Sequence, residues 1–121
     1  AAEYVGAAAY PDGVCYSYYP VDLHADGEQT LHNIAVTKDR VPQIPLSAML
    51  VKGMDNLLAA GRCASGDRLA QSAFRVKASC MAMGQAAGAA AALAAGRELR
   101  EVPVEEIRSL LRAQGAIVPE I

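Results

Sequence analysis

From Ala78 to Gly96 the chain runs 19 residues without a charged side chain. The run is mostly Ala, with Gly, Ser and Gln, and has only Met81, Met83 and Leu93 as larger apolar groups. Its length is near what a bilayer helix needs, but insertion strength comes from Leu, Ile, Phe and Val, which it lacks. The sequence therefore predicts a packed helix over about Val76–Ala95 and no membrane span. Gly96 ends it, and Arg97 suits the negative end of its dipole. Gly84, Gly88, Ala92 and Gly96 recur every four residues, so one face carries very small side chains. Such a face lets the helix lie against a sheet or another backbone at short distance.

The rest of the composition makes a weak core. Of 121 residues 25 are Ala, Trp is absent, Phe74 stands alone and all five Tyr lie in the first 19 positions. A small domain so poor in large side chains buries little area per residue, which points to a piece of a larger protein. Net charge is −2, giving no electrostatic case for nucleic acid. The charge is uneven: residues 1–60 carry 3 basic and 7 acidic groups, residues 61–121 carry 8 and 6. Arg62, Arg68, Arg75 and Lys77 stand against Asp67 alone, a local anion-attracting stretch. Cys15, Cys63 and Cys80 form no CxxC pair and no zinc spacing, so they read as buried structural thiols of a reducing, cytoplasmic compartment. No secretory signal is visible and no metal site is expected.

Along the chain, Val14–Val21 reads as an extended segment closed by Pro20, followed by a polar turn at 25–28. Leu31–Val36 reads as a short strand. Pro42 and Pro45 force extended geometry, and Leu46–Leu50 forms a helical turn stopped at Gly53. Asn56–Ala60 is a short apolar run without alternation, which suits a buried parallel strand. Residues 62–74 read as a polar loop. Pro103 opens a last helix with Val104, Ile107, Leu110 and Leu111 on one face and Gly115 as its stop, before a short terminal strand at Ala116–Val118. Glu101, Glu105, Glu106, Arg108 and Arg112 read as its solvated face.

The strongest constellation is strand, Gly61-Arg62, loop, Ser72-Ala73-Phe74-Arg75-Val76, then the long helix. In open α/β sheets ligands bind beyond the carboxyl ends of strands, where Gly61 permits close approach. The helix start near 75–78 offers unpaired N–H groups and a partial positive charge, to which Arg62, Arg75 and Lys77 add full charges. His24 is the candidate catalytic residue, with Asp22 on the same face of an extended strand to raise its pKa and fix its tautomer.

The ordered strings Asp55-Asn56-Leu57-Leu58-Ala59-Ala60-Gly61-Arg62-Cys63-Ala64-Ser65, Ser72-Ala73-Phe74-Arg75-Val76 and Cys80-Met81-Ala82-Met83-Gly84-Gln85-Ala86-Ala87-Gly88 resemble the C-terminal end of FAD-dependent oxidoreductases. The likeness is to the group with a glutathione-reductase-type FAD domain, distantly fumarate-reductase-like. Upstream, Tyr19-Pro20-Val21-Asp22-Leu23-His24 and Ile44-Pro45-Leu46 also resemble it, so the match runs over about residues 16–118. The resemblance implies an α/β fold, the C-terminal fragment of a FAD/NAD(P)-binding Rossmann-like domain with a strand, a long Ala/Gly-rich helix and a terminal helix. It implies that 1–54 end a β-rich substrate- or cap-side segment and that 55–121 belong to the FAD-binding domain. It places Gly61, Arg62, Ser65, Arg75, Val76 and Lys77 at FAD. A positive helix end there favours negative charge on the flavin pyrimidine edge and raises its electron affinity.

Three departures stand out. Related proteins place an acidic residue at the position of Arg62, which leaves Arg62 to bind phosphate or to turn outward. The loop Gly66-Asp67-Arg68-Leu69-Ala70-Gln71 lacks the family's His, and Lys77-Ala78 replaces its Met-Pro. No GxGxxG motif, which holds the pyrophosphate in this fold, exists in the 121 residues. The sequence thus implies a fragment whose partners are the remainder of the parent flavoprotein and a small organic substrate, and which alone is inactive. Two other readings stay open: a non-enzymatic module or homodimer joined through the small-residue helix face, and an anion-binding domain using Arg62, Arg75 and Lys77.

Overall fold

The computed structural model describes residues 2–21 and 41–120. His24, Asp22, the turn at 25–28 and the Leu31–Val36 segment lie outside the described residues. The elements are α1 (Ala2–Val5), β1 (Gly13–Tyr16), β2 (Gln43–Pro45), α2 (Arg68–Phe74), α3 (Lys77–Leu93) and α4 (Val104–Ala113). Single 3-10 turns sit at Leu46–Ala48, Gly61–Cys63 and Leu99–Glu101.

β1 and β2 pair antiparallel, with Gly13 opposite Pro45, Cys15 opposite Ile44 and Tyr16 opposite Gln43, and a bulge between Gly13 and Cys15. This two-stranded sheet packs on α3 and α4, giving a mixed α/β arrangement. α3 turns Ser79, Met83, Ala86 and Ala90 inward, a spacing of four, three and four that follows one helix face. α4 adds Ile107 and Leu111, and the strands add Val14, Cys15 and Ile44, so one core spans both halves of the chain. Burying residues of the size of Ile107 or Leu111 contributes about 1.5–3 kcal/mol each. α4 ends as the sequence predicts: Gly115 has φ +81°, the Ala116 N–H reaches the Leu111 carbonyl at 3.0 Å, and the Gly115 N–H reaches that of Arg112 at 2.9 Å. That pairing is a Schellman cap.

Several expectations are corrected. Asn56–Ala60 is not a buried parallel strand. Asn56 and Leu57 are exposed, and the segment makes one isolated antiparallel bridge, Leu58 to Leu50. A buried parallel strand needs a neighbour on each side, and the described residues put only the 49–51 backbone beside it. Residues 68–74 are helix rather than loop, because Asp67 caps α2 through its side chain on the Ala70 N–H at 2.9 Å while Ala70, Ala73 and Phe74 turn inward. Ala116–Val118 forms no strand among the described residues. Gly84, Gly88 and Ala92 lie on the exposed side of α3 and Gly96 is exposed beyond its end, and a Cβ at any of the three glycines would meet nothing within 4 Å. The packed face is instead the Ser79–Ala90 stripe. Only Cys15 of the three cysteines is buried; Cys63 is exposed.

Arg108 also departs from the solvated-face reading. Its side chain is 2% exposed, and Nε donates to the Gly13 carbonyl at 2.8 Å and a terminal nitrogen to the Pro11 carbonyl at 3.1 Å. Gly13 and Pro45 are a non-hydrogen-bonded pair, flanked by the Leu46 N–H to Asp12 carbonyl bond, so the Gly13 carbonyl points away from β2 and takes its donor from the guanidinium. The exposed acids of α4 form ion pairs. Glu105 reaches Arg112 at 2.6 Å and Arg108 at 3.7 Å, and Glu106 pairs with Arg97.

Candidate functional site

The site forms where the Gly61–Cys63 turn meets the start of α3. Backbone bonds fix the approach to that turn: the Ala59 N–H reaches the Met49 carbonyl at 2.8 Å, and the Ser65 N–H reaches that of Ala48 at 2.7 Å. Arg100 clamps the preceding bend on the carbonyls of Val51 and Met54, at 2.8 and 3.2 Å. Gly61 itself has φ +70°, a conformation that strains any residue with a side chain. A Cβ there would sit 3.6 Å from the Cys80 Cβ, an ordinary contact, so the backbone angle and not lack of space asks for glycine.

α3 begins without a side-chain cap. Val76 occupies the cap position in extended geometry, and the first ladder bond runs from the Cys80 N–H to the Val76 carbonyl at 2.9 Å. The amides of Lys77, Ala78 and Ser79 therefore precede the ladder and carry the positive end of the dipole. Arg62, Arg75 and Lys77 are exposed. Arg62 Nε donates to the Arg75 carbonyl at 3.4 Å, so this guanidinium lies over the α2–α3 junction. Asp67, the nearest acid in sequence, is engaged in capping α2. The Ala70 N–H bond holds its carboxyl below the usual aspartate range.

Of the residues named from sequence, Gly61, Arg62, Arg75, Val76 and Lys77 come together at this junction. Ser65 does not join them. It borders a separate hollow of about 370 Å³ with Tyr10, Gln43, Asp67 and Phe74. There the Tyr10 phenol, desolvated and beside Glu3, is pushed up to about 12. His24 lies outside the described residues.

A second groove of about 520 Å³ opens beside the α3 start, between Tyr16, Tyr18 and Tyr19 on one side and Val76, Ser79 and Gln85 on the other. Ser79 of its lining belongs to a set of hydroxyls that sequence reasoning missed. Ser17 and Ser79 are 0% and 2% exposed, and their Oγ atoms are 2.7 Å apart. The Tyr4 phenol oxygen is hydrogen-bonded to Ser17 Oγ at 2.9 Å. Burial raises the pKa of that phenol, and the Ser17 bond partly offsets the rise. No sequence signal joins residues 62 positions apart. Among the described residues no group of His, Cys, Asp and Glu is placed to hold a metal, and no helix is long and apolar enough to cross a membrane.

Comparison with known proteins adds one finding. A family model described as FAD dependent oxidoreductase matches residues 1–111. No curated protein and no solved structure matches the chain.

Proposed function

We propose, since the chain belongs to the FAD-dependent oxidoreductase family, that it is the C-terminal part of a flavoenzyme acting on a small organic substrate. FAD is the cofactor this membership indicates, and when bound it supplies hydride or electron transfer. The observation that carries the reading is the junction itself. A Gly61 turn is laid on the uncapped start of α3, with Arg62, Arg75 and Lys77 around it. N–H donors and cations suit the electron-rich edge of a flavin ring.

In this reading residues 55–121 belong to the Rossmann-like FAD domain and residues 1–54 end the substrate-side segment. The Lys77–Ser79 amides face the ring edge and favour negative charge there. Arg75 and Lys77 add to that field, Val76 packs beside it, and Gly61 lets the backbone approach. Arg62 steadies the junction through the Arg75 carbonyl. Ser65, bordering the other hollow, is the weakest member of the set. His24 is proposed to handle a proton on the substrate side. The pyrophosphate site, for which these 121 residues hold no GxGxxG, is assigned to the remainder of the parent protein, and the chain alone is proposed to be inactive.

The test is the flavin-loaded protein carrying Lys77→Glu. The expected result is a normal flavin absorbance band with a lower midpoint potential, since a negative group now faces the ring edge. An unchanged potential contradicts the placement of the α3 start. A second reading rests on the exposed Gly84, Gly88, Ala92 and Gly96 stripe, a surface suited to close backbone contact in a homodimer. Sedimentation showing a monomer at all concentrations removes it.

A further inference from the structure

Resting on the flavoenzyme reading, we propose that Ser17 and Ser79 are positioning residues. Their buried hydroxyl pair, oriented by Tyr4, holds the first turn of α3 in register with the Tyr16–Tyr19 wall and so fixes the direction in which the Arg75–Lys77 end meets the flavin.

Among the described residues, the other polar bonds at the first turn of α3 are weaker. It lacks a side-chain cap. The Cys80 thiol reaches the Phe74 carbonyl only at 3.8 Å, and the bond from Arg62 to the Arg75 carbonyl is long and exposed. The serine contact is the shortest of these and is buried on both sides. Ser17 is in turn immobilised. Its N–H reaches the Pro42 carbonyl at 2.8 Å, and the Tyr4 phenol lies within 3.2 Å of its carbonyl, 2.9 Å of its Oγ and 3.0 Å of the Tyr19 carbonyl. The phenol proton suits the Ser17 or Tyr19 carbonyl, both acceptors only. That leaves the phenol oxygen to accept from Ser17 Oγ and Ser17 to accept from Ser79, so one chain of hydroxyls joins α1, the end of β1 and α3.

Helix stability does not ask for serine at 79. Alanine is the better helix former, and the other buried positions of α3 are Met83, Ala86, Ala89 and Ala90. Replacing both partners of a buried hydrogen bond by apolar groups is close to neutral for stability, whereas replacing one strands the other. A purely structural pair and a positioning pair therefore separate in the double variant.

The experiment compares Ser79→Ala, Ser17→Ala, the double variant and Ser79→Thr in the flavin-loaded full-length protein. Exchange of the Cys80 amide, the first in the α3 ladder, is expected to quicken at least about tenfold in the three alanine variants and to return in Ser79→Thr. The flavin midpoint potential is expected to fall by about 30 mV, which is a tenfold change for a two-electron couple, and to return with the threonine. Unchanged Cys80 exchange overturns the tether. Faster exchange with an unchanged potential, above all in the double variant, overturns the positioning role. A wild-type protein without a flavin band removes the reading on which the proposal rests. That failure is seen before any variant is compared, and amide exchange still reports whether the tether exists.

Discussion

Arg108→Met removes a buried cation that two carbonyls depend on. The Gly13 carbonyl, 2.8 Å from Nε, is buried and loses its donor outright. The Pro11 carbonyl, at 3.1 Å, belongs to an exposed residue and regains water. Glu105, 3.7 Å away with a side chain 63% exposed, loses little, because exposed pairs contribute about 0–1 kcal/mol. Hydrogen bonds to charged groups contribute about 1.5–3 kcal/mol each. Methionine fills much of the space and relieves the cost of burying a guanidinium, which offsets part of the loss. The net expectation is a loss of about 2–4 kcal/mol, most of it at Gly13. Urea unfolding with a slope of about 2 kcal/mol/M then shows a midpoint lower by about 1–2 M. Arg108→Lys, whose ammonium lacks the planar fork, is expected to lie between the two. A midpoint for Arg108→Met within about 0.5 M of wild type refutes the reasoning and makes the buried arginine energetically neutral.

Three further outcomes are expected. Gly66→Ala places a Cβ 2.6 Å from Cζ of the buried Phe74 ring, and unfolding should show a loss of about 1–3 kcal/mol; an unchanged midpoint contradicts the contact. Asp67 has a lowered folded pKa, so its stabilising effect is present above the unfolded aspartate value and is lost as pH falls through the lower folded one. Asp67→Asn should keep the α2 cap and flatten that acid limb of the stability profile, whereas Asp67→Ala should lose the cap at every pH. In thiol titration Cys63 should react first in the native chain, whereas Cys15, its pKa pushed up to about 12 by burial, should react only on unfolding; early Cys15 labelling contradicts its place in the core.

How much of this was legible in the sequence varied with the range of the interaction. α3 and α4 were readable because their signals are local: an uncharged Ala-rich run, Pro103 before the first turn and Gly115 at positive φ after the last. The sequence groups Gly61-Arg62 with Arg75–Lys77, and the bond from Arg62 Nε to the Arg75 carbonyl puts the two segments side by side. α2 was missed although Asp67 is a local cap, because a seven-residue helix shows hardly two turns of period. Asn56–Ala60 misled because an apolar run cannot by itself show whether neighbours exist on both sides. The inward turn of Arg108 and the Ser17–Ser79 pair were invisible. Both depend on partners 62 or more positions away, and an arginine beside two glutamates looks like a surface residue.

The proposed role of this chain is to complete a FAD site whose pyrophosphate loop lies in the rest of the parent protein. The direct test is a FAD titration of the 121-residue chain beside the longer protein, followed by flavin absorbance and fluorescence. The account predicts tight binding by the longer protein and little by the chain alone. Absence of binding by both contradicts it.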